Sequence, residues 1–298
     1  MANSNSQRRS ASLVEHAPAK INLTLAVLGR RANGYHSIDS LVTFADVGDR
    51  LSFVPGNALS LVVSGSTAKA AGPLDDNLVL KAARGLAAEI PGLKLGRFTL
   101  EKRLPVAAGL GGGSSDAAAA LRLLARANRL ELDDKRLLKV SRGVGADVPV
   151  CVDPRPRRMR GIGEKLSPPL AIPTLSAVLV NPGVAVPTKD VFAALGLGRG
   201  QSFKRASRPW PISRSRTKLI EDLAAGRNDL EPPAIKLRPV IGRVLEALGQ
   251  QPGCELARMS GSGATCFGLF ASQRAAAAAA RSLGKAHPRW WVKPTVLG

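Results

Sequence analysis

Apolar and polar positions alternate along "KINLTLAVLGR" (20–30), with Ile21, Leu23, Leu25 and Val27 on one face and Lys20, Asn22 and Thr24 on the other. A period of two predicts a half-buried strand, so Lys20 and Asn22 point the same way. "RRANGYHSIDSLVTFADVGDRLSFV" continues as turn, strand, turn, strand, and Asn33-Gly34 is a strong reverse-turn signal. "SLVVSG" is another strand, and "DDNLVLKAARGLAAEI" is a helix entered through Asp75, Asp76 or Asn77. "GRFTLEKRLP" reads as a strand and 114–130 as an amphipathic helix with Ala117, Ala120, Leu121 and Leu124 on its apolar face. A second helix covers 134–142, and "GVGADVPVCV" reads as a loop leading into a strand.

The proline-rich stretch "DPRPRRMRGIGEKLSPPLAIP" shifts the composition and sets a domain boundary near residue 168. Beyond it the pattern predicts a strand (175–181), a short helix (188–195), a basic loop and helices at 215–225 and 236–249. A glycine-punctuated hairpin, "ELARMSGSGATCFGLF", then precedes a helix (273–283) and a strand (290–296). Helices covering one face of a small antiparallel sheet satisfy this order.

Composition narrows the class. A chain of 298 residues, 45% hydrophobic, fills one large domain or two ordinary ones. Cys151, Cys254 and Cys266 lie far apart with no histidine cluster, which argues against a disulfide framework or a zinc site and for a reducing, cytoplasmic setting. The first eighteen residues lack the apolar stretch of a secretory signal and are expected to be mostly a mobile tail. No apolar run is long enough to cross a bilayer. The net charge of +21 draws anions without choosing among nucleotides, nucleic acid and membrane surfaces. Two basic clusters, 199–218 and Arg155, Arg157, Arg158 and Arg160, read most simply as solvated surface.

The chemistry is concentrated in "PVAAGLGGGSSDAAAALRLL" (105–124), where four glycines and two serines occupy seven positions ahead of a helix. Glycines let successive N–H groups converge on one anion, and a helix start adds its own free donors and positive dipole end. Strand, bare loop and helix make a phosphate cradle, though not a P-loop, because no Lys-Ser or Lys-Thr follows the glycines. Ser114 and Ser115 can cap the helix, and Asp116 reads as a dipole-complementing cap turned from the ligand.

With "APAKINLTLAVLGRRANGYHSIDSL", "GADVPV" and "SGSGATCFGLF" in order, this loop resembles the nucleotide loop of the GHMP kinase superfamily. The matching blocks run from residue 17 to about 270. The resemblance implies a two-domain α+β fold: residues 1–168 like ribosomal protein S5 domain 2, and 169–298 a smaller α/β sandwich. It also implies ATP-dependent phosphorylation of an alcohol that carries a cytidylyl group. Asp147 then corresponds to the catalytic acid/base and Lys20 to the lysine that polarises the acceptor hydroxyl. The nucleotide site comprises Pro105, Val106, Ala107, Ala108, Gly109, Leu110, Gly111, Gly112, Gly113, Ser114 and Ser115, with Lys102 beside the adenine and Asn77 on the rim. Mg²⁺ accompanies ATP, with Ser115 as its contact.

On the acceptor side the same resemblance has Tyr35 stack on the cytosine, His36 hydrogen-bond it and Phe192 cover its other face. Asn22 and Thr188 contact substrate, and Gly261, Ser262 and Gly263 close the cleft. The expected partners are small molecules, with neither membrane nor nucleic acid, in a monomer or homodimer. A GHMP kinase for homoserine, mevalonate or a sugar is the alternative within the superfamily. A basic nucleic-acid-binding protein, with arginines near Trp210, is the alternative outside it.

Overall fold

The alternation that opens the chain becomes its two longest strands. The computed structural model describes residues 12–203 and 213–298. In chain order its first half holds β1 Leu13–Arg30, β2 His36–Pro55, β3 Ser60–Ser64, α1 Leu78–Glu89, β4 Gly96–Glu101 and α2 Gly112–Asn128. It continues with α3 Lys135–Val144, α4 Val148–Val152, β5 Arg157–Gly161 and β6 Lys165–Leu166. The second half holds β7 Leu175–Asn181, α5 Thr188–Ala193, α6 Arg216–Ala224, α7 Glu231–Leu237 and α8 Val240–Gly249. It ends with β8 Cys254–Met259, β9 Cys266–Phe270, α9 Gln273–Ala286 and β10 Trp291–Leu297.

β2 is central to the first sheet: β1 lies antiparallel on one side, and β5 and β4 take successive stretches of the other. β3 runs parallel to β4 through α1, and β6 closes on β5. In the second sheet the order β10-β7-β9-β8 is antiparallel throughout, and Leu297 of β10 meets Ala45 of β2. The change of sheet falls between Leu166 and Leu175.

β1 is not half-buried but buried on both faces, because two cores meet across it. Its register slips at Pro18/Lys20 and Asn22/Thr24, and such bulges re-aim the side chains that follow. Ala19, Ile21 and Leu23 pack with Leu175, Ala177, Leu179 and Phe267 of the second sheet. Leu25 and Val27 pack with the core under α1 and α2. The four apolar residues expected on one face are therefore divided between two cores, and the polar side of β1, carrying Lys20 and Asn22, is sealed into the seam.

Other expectations change for identifiable reasons. Residues 13–18 are strand, paired with the far end of β2, so only part of the expected tail remains open; residues 1–11 lie outside the described residues. The second turn expected before residue 54 does not form: His36–Pro55 is one strand, whose buried Asp49 carboxylate accepts from main-chain donors. "VPVCV" is helical rather than extended, because Pro149 sits in the first turn, where no intrahelical N–H is needed. The single helix expected at 236–249 is two, broken at Arg238-Pro239, since proline disfavours helical geometry in the residue before it.

α2 is buried on every side from Ser115 to Ala125, not amphipathic. Of the arginine run, Arg155 and Arg157 pair with Asp153, and Arg158 pairs with the buried Asp39 at 2.7 Å, so these are staples rather than free surface charge. Arg216 and Lys218 of the second basic cluster pair with Glu255 and Asp222, while 204–212, with Trp210, lie outside the described residues. No helix among the described residues is long and apolar enough to cross a membrane.

Candidate active site

β4 delivers the chain into the bare loop and α2 carries it away. The helix starts two residues earlier than its sequence pattern suggests, at Gly112, with Gly111 in the left-handed region (φ 61°) as the cap. A glycine cap brings no side-chain acceptor, so neither Ser114 nor Ser115 caps the helix, and Asp116 lies within it. The protein uses the loop's carbonyls: Ala108 O accepts from Thr265 N (3.1 Å), Gly109 O from Ser260 Oγ (3.0 Å) and Leu110 O from Lys20 N (2.8 Å). The N–H groups of Gly109 to Ser114 have no partner among the described residues. Carbonyls tied back and amides left open at a helix N-terminus make an anion site.

The glycines are needed for close approach. At Gly109 (φ 75°) a Cβ would sit 2.3 Å from the Ser260 carbonyl, and at Gly111 3.1 Å from Lys20 Cε. The loop thus lies directly against both the 260–265 turn and the lysine of β1.

Lys20 and Asp147, 127 positions apart in the chain, meet with Nζ 3.1 Å from Oδ2. The lysine also donates to Asn22 Oδ1 (2.9 Å), whose amide donates to Ser40 Oγ (2.7 Å), so a buried chain fixes the ammonium. Asp147 stands at the N-cap of α4 but makes no side-chain cap bond. Its carboxylate is one-third exposed, while Lys20 is nearly sealed. One buried donor and one partly open acceptor suit a group that must meet a substrate hydroxyl. Cys151, also in α4, plays no such part: burial pushes its thiol up to about 12.

Behind the loop, the Lys102 ammonium lies between the buried carboxylates of Asp49 and Asp116, at 2.8 Å from Asp116 Oδ2. Asp49 Oδ1 also accepts from the N–H groups of Arg103 (2.5 Å) and Leu104 (2.8 Å), which anchors the strand end that feeds the loop. Burial, and then the neighbouring Asp49, push the Asp116 carboxyl up to about 7 despite Lys102. Burial pulls Lys102 down, but the two carboxylates outweigh it and hold the lysine charged. Lys102 lines the cleft as expected, yet its charge is committed within the protein. Asn77 also lines the cleft and caps α1, accepting from Val79 N (3.0 Å).

The acceptor side is built around His36. Phe192 stacks on its imidazole (4.6 Å between centroids, 25° between planes) instead of standing free, so Tyr35, 59% exposed, is the open ring. Burial and then the Arg30 charge lower the His36 pKa, so the ring is neutral near pH 7, and its Nε2 is buried without a partner. Thr188 Oγ1 and Ser262 Oγ lie 2.8 Å apart across the opposite rim.

One cavity of about 1040 Å³ takes in Lys20, Asn22, Tyr35, His36, Asn77, Lys102, Asp147, Thr188, Phe192, Gly261, Ser262 and the loop residues 105–109 and 111–114. Three expected residues do not line it. Leu110 is packed in the core, Gly263 backs onto Met259, and Ser115 is fully buried with an unpartnered hydroxyl. The early helix start turns Ser115 inward, away from the cleft.

Sequence reasoning missed the segment 227–229, whose main chain joins the second half to β1 and whose middle residue braces the 260–265 turn. Asn228, buried, donates to Met259 O and Gly261 O (2.8 Å each) and accepts from Leu230 N (3.0 Å), while its neighbours pair with Leu25 of β1. A single Asn in a polar loop carries no periodic signal.

A bare helix start facing a Lys-Asp pair in one cleft is the arrangement of a phosphotransferase. The profiles described as GHMP kinases N terminal domain and GHMP kinases C terminal match residues 77–153 and 212–289, and the chain belongs to this family of kinases.

Within that family it is 60% identical over 287 residues to the 4-diphosphocytidyl-2-C-methyl-D-erythritol kinase of Methylobacterium radiotolerans, covering 96% of this chain and 99% of that protein. It is 58% identical over 285 residues to the enzyme of the same name from Xanthobacter autotrophicus, covering 94% and 97%. Among solved structures, a 4-(cytidine 5'-diphospho)-2C-methyl-D-erythritol kinase superposes with a TM-score of 0.73 at 36% identity, covering 96% of this chain and 99% of that one. A homoserine kinase from Cytophaga hutchinsonii, at 20% identity and a TM-score of 0.70 over 100% and 97%, shares the fold.

Proposed function

We propose that this protein transfers the γ-phosphoryl group of ATP to the 2-hydroxyl of 4-diphosphocytidyl-2-C-methyl-D-erythritol, giving the 2-phosphate and ADP in the non-mevalonate route to isoprenoids. The observation that carries the reading is the Lys20–Asp147 pair, 3.1 Å apart, in the same cleft as the open amides of the bare loop. The names of its relatives supply the substrate.

Phosphoryl transfer through a loose transition state needs positioning and charge stabilisation more than covalent help. The free N–H groups of Gly109 and of residues 111–114 hold the phosphates and face the charge that builds on the leaving oxygen. Asp147 orients the acceptor hydroxyl and takes its proton as the new O–P bond forms and the bond to ADP breaks. Lys20, fixed by Asn22 and Asp147, neutralises charge at the attacking oxygen. Tyr35 offers a face to the cytosine, and neutral His36, stacked on Phe192, lines the cleft beside it. That pairing favours a base-bearing acceptor over homoserine, mevalonate or a sugar.

Mg²⁺, when bound with ATP, neutralises phosphate charge. The described residues hold no cluster of three or more His, Cys, Asp or Glu side chains fit for an ion, so the nucleotide supplies most of its ligands. One chain carries every residue of this site, and three free thiols suit a cytoplasmic enzyme.

The test is ADP release from Mg-ATP with the cytidylyl substrate, repeated with Asp147→Asn. We expect turnover in the wild type and a loss of about 10²–10⁴-fold in kcat in the variant. No ADP from the wild type removes the assignment; an unchanged variant removes the role of Asp147.

A further inference from the structure

A second cavity, of about 490 Å³, opens where β7 ends and β10 begins, and shares no residue with the cleft. It is lined by Arg243 and Arg289, by His287 and Trp290, and by Pro182, Gly183 and Val240. We propose that this cavity binds a small organic diphosphate, with its phosphate oxygens on the two arginines and its organic part against the rings.

Arg243 and Arg289 are each without a carboxylate or hydrogen-bond partner for the side chain among the described residues, and no acidic residue lines the cavity. Elsewhere Arg122, Arg155, Arg157, Arg158 and Arg216 are each joined to a carboxylate. Two arginines lining one hollow with no carboxylate beside them favour an anion there, and their planar forks match phosphate oxygens. The C-terminal end of α9, at His287, adds about half a negative charge, which two full positive charges outweigh.

The other wall is rigid and apolar. His287 and Trp290 stack at 3.7 Å between centroids with planes 12° apart, and Trp290 N donates to His287 O (2.9 Å), locking the turn that presents them. Bare inorganic phosphate would leave that wall unused, whereas an alkyl diphosphate fills both halves. The volume lies within the roughly 300–1,000 Å³ range of small-molecule pockets.

Calorimetric titration at about 0.15 M salt with butyl diphosphate and with inorganic pyrophosphate tests the proposal on wild type, Arg243→Gln/Arg289→Gln and the phosphate-loop variant Gly109→Ala. We expect saturable binding of butyl diphosphate, weaker binding of pyrophosphate, no change in Gly109→Ala, and a loss of at least about tenfold, roughly 1.4 kcal/mol, in the double arginine variant. Because both arginines are exposed and outside the cleft, the double variant keeps its unfolding midpoint and turnover. Equal affinity in wild type and double variant, loss of the binding in Gly109→Ala, or no saturable binding overturns the proposal.

Discussion

Replacing Lys102 by methionine tests the buried charges behind the phosphate loop. The ammonium is 5% exposed and lies between Asp49 and Asp116, whose side chains are 0% and 4% exposed. Methionine keeps much of the stem's volume but leaves two carboxylates facing each other with no cation. Breaking a buried pair in this way costs about 3–5 kcal/mol, against a total stability of about 5–15. The loss should depend on pH. Asp116 already has a folded-state pKa raised from 3.8 to about 7, so the native state binds more protons than the unfolded state between those values, and stability falls as pH rises through that window. Without Lys102 the lowering influence on Asp116 is gone and the window extends upward. Urea denaturation at about pH 5.5 and about pH 8 measures this. The variant should be weakened far more at the higher pH, and Lys102→Met/Asp116→Asn should recover part of the loss. A loss under about 1 kcal/mol at the higher pH, or an equal loss at both, refutes the charge argument.

Gly109→Ala places a Cβ 2.3 Å from the Ser260 carbonyl, whereas Gly72→Ala has a similar φ (77° against 75°) and open space around it. We expect the first to raise the KM for ATP about tenfold or more and the second to leave it unchanged, from strain of about 1–3 kcal/mol; equal effects would mean that close packing of the two loops is irrelevant. Tyr35→Ala should raise the KM for the cytidylyl substrate about tenfold through lost stacking of about 1–3 kcal/mol, with the KM for ATP and the melting temperature unchanged. Asn228→Leu leaves three buried main-chain groups unpartnered and should cost about 3 kcal/mol or more, read by denaturation; a near-neutral result would show that the 260–265 turn is held without it.

Local signals account for what could be read along the chain. Asn77 as a helix cap, the bare loop before α2, the hairpin around Gly261 and most of the elements follow from caps, glycines and periodicity, which act over a few residues. The same locality explains the errors. "VPVCV" has the β-branched content of a strand, and only burial on all sides with Pro149 in the first turn makes it helical. Val47-Gly48-Asp49 has turn composition, and its place inside β2 depends on main-chain donors from residues 103 and 104.

By itself the sequence determined that a loop stripped of side chains precedes a helix and that Lys20 and Asn22 share one side of a strand, because both follow from bond geometry over a handful of residues. Only the tertiary structure decided that Lys20 touches Asp147, that Lys102 is held between Asp49 and Asp116, that Ser115 turns inward and that Asn228 braces the turn at Gly261. Those contacts join segments up to 127 residues apart, and no local preference encodes them; they exist because two sheets seal their apolar faces across β1 and enclose its polar side.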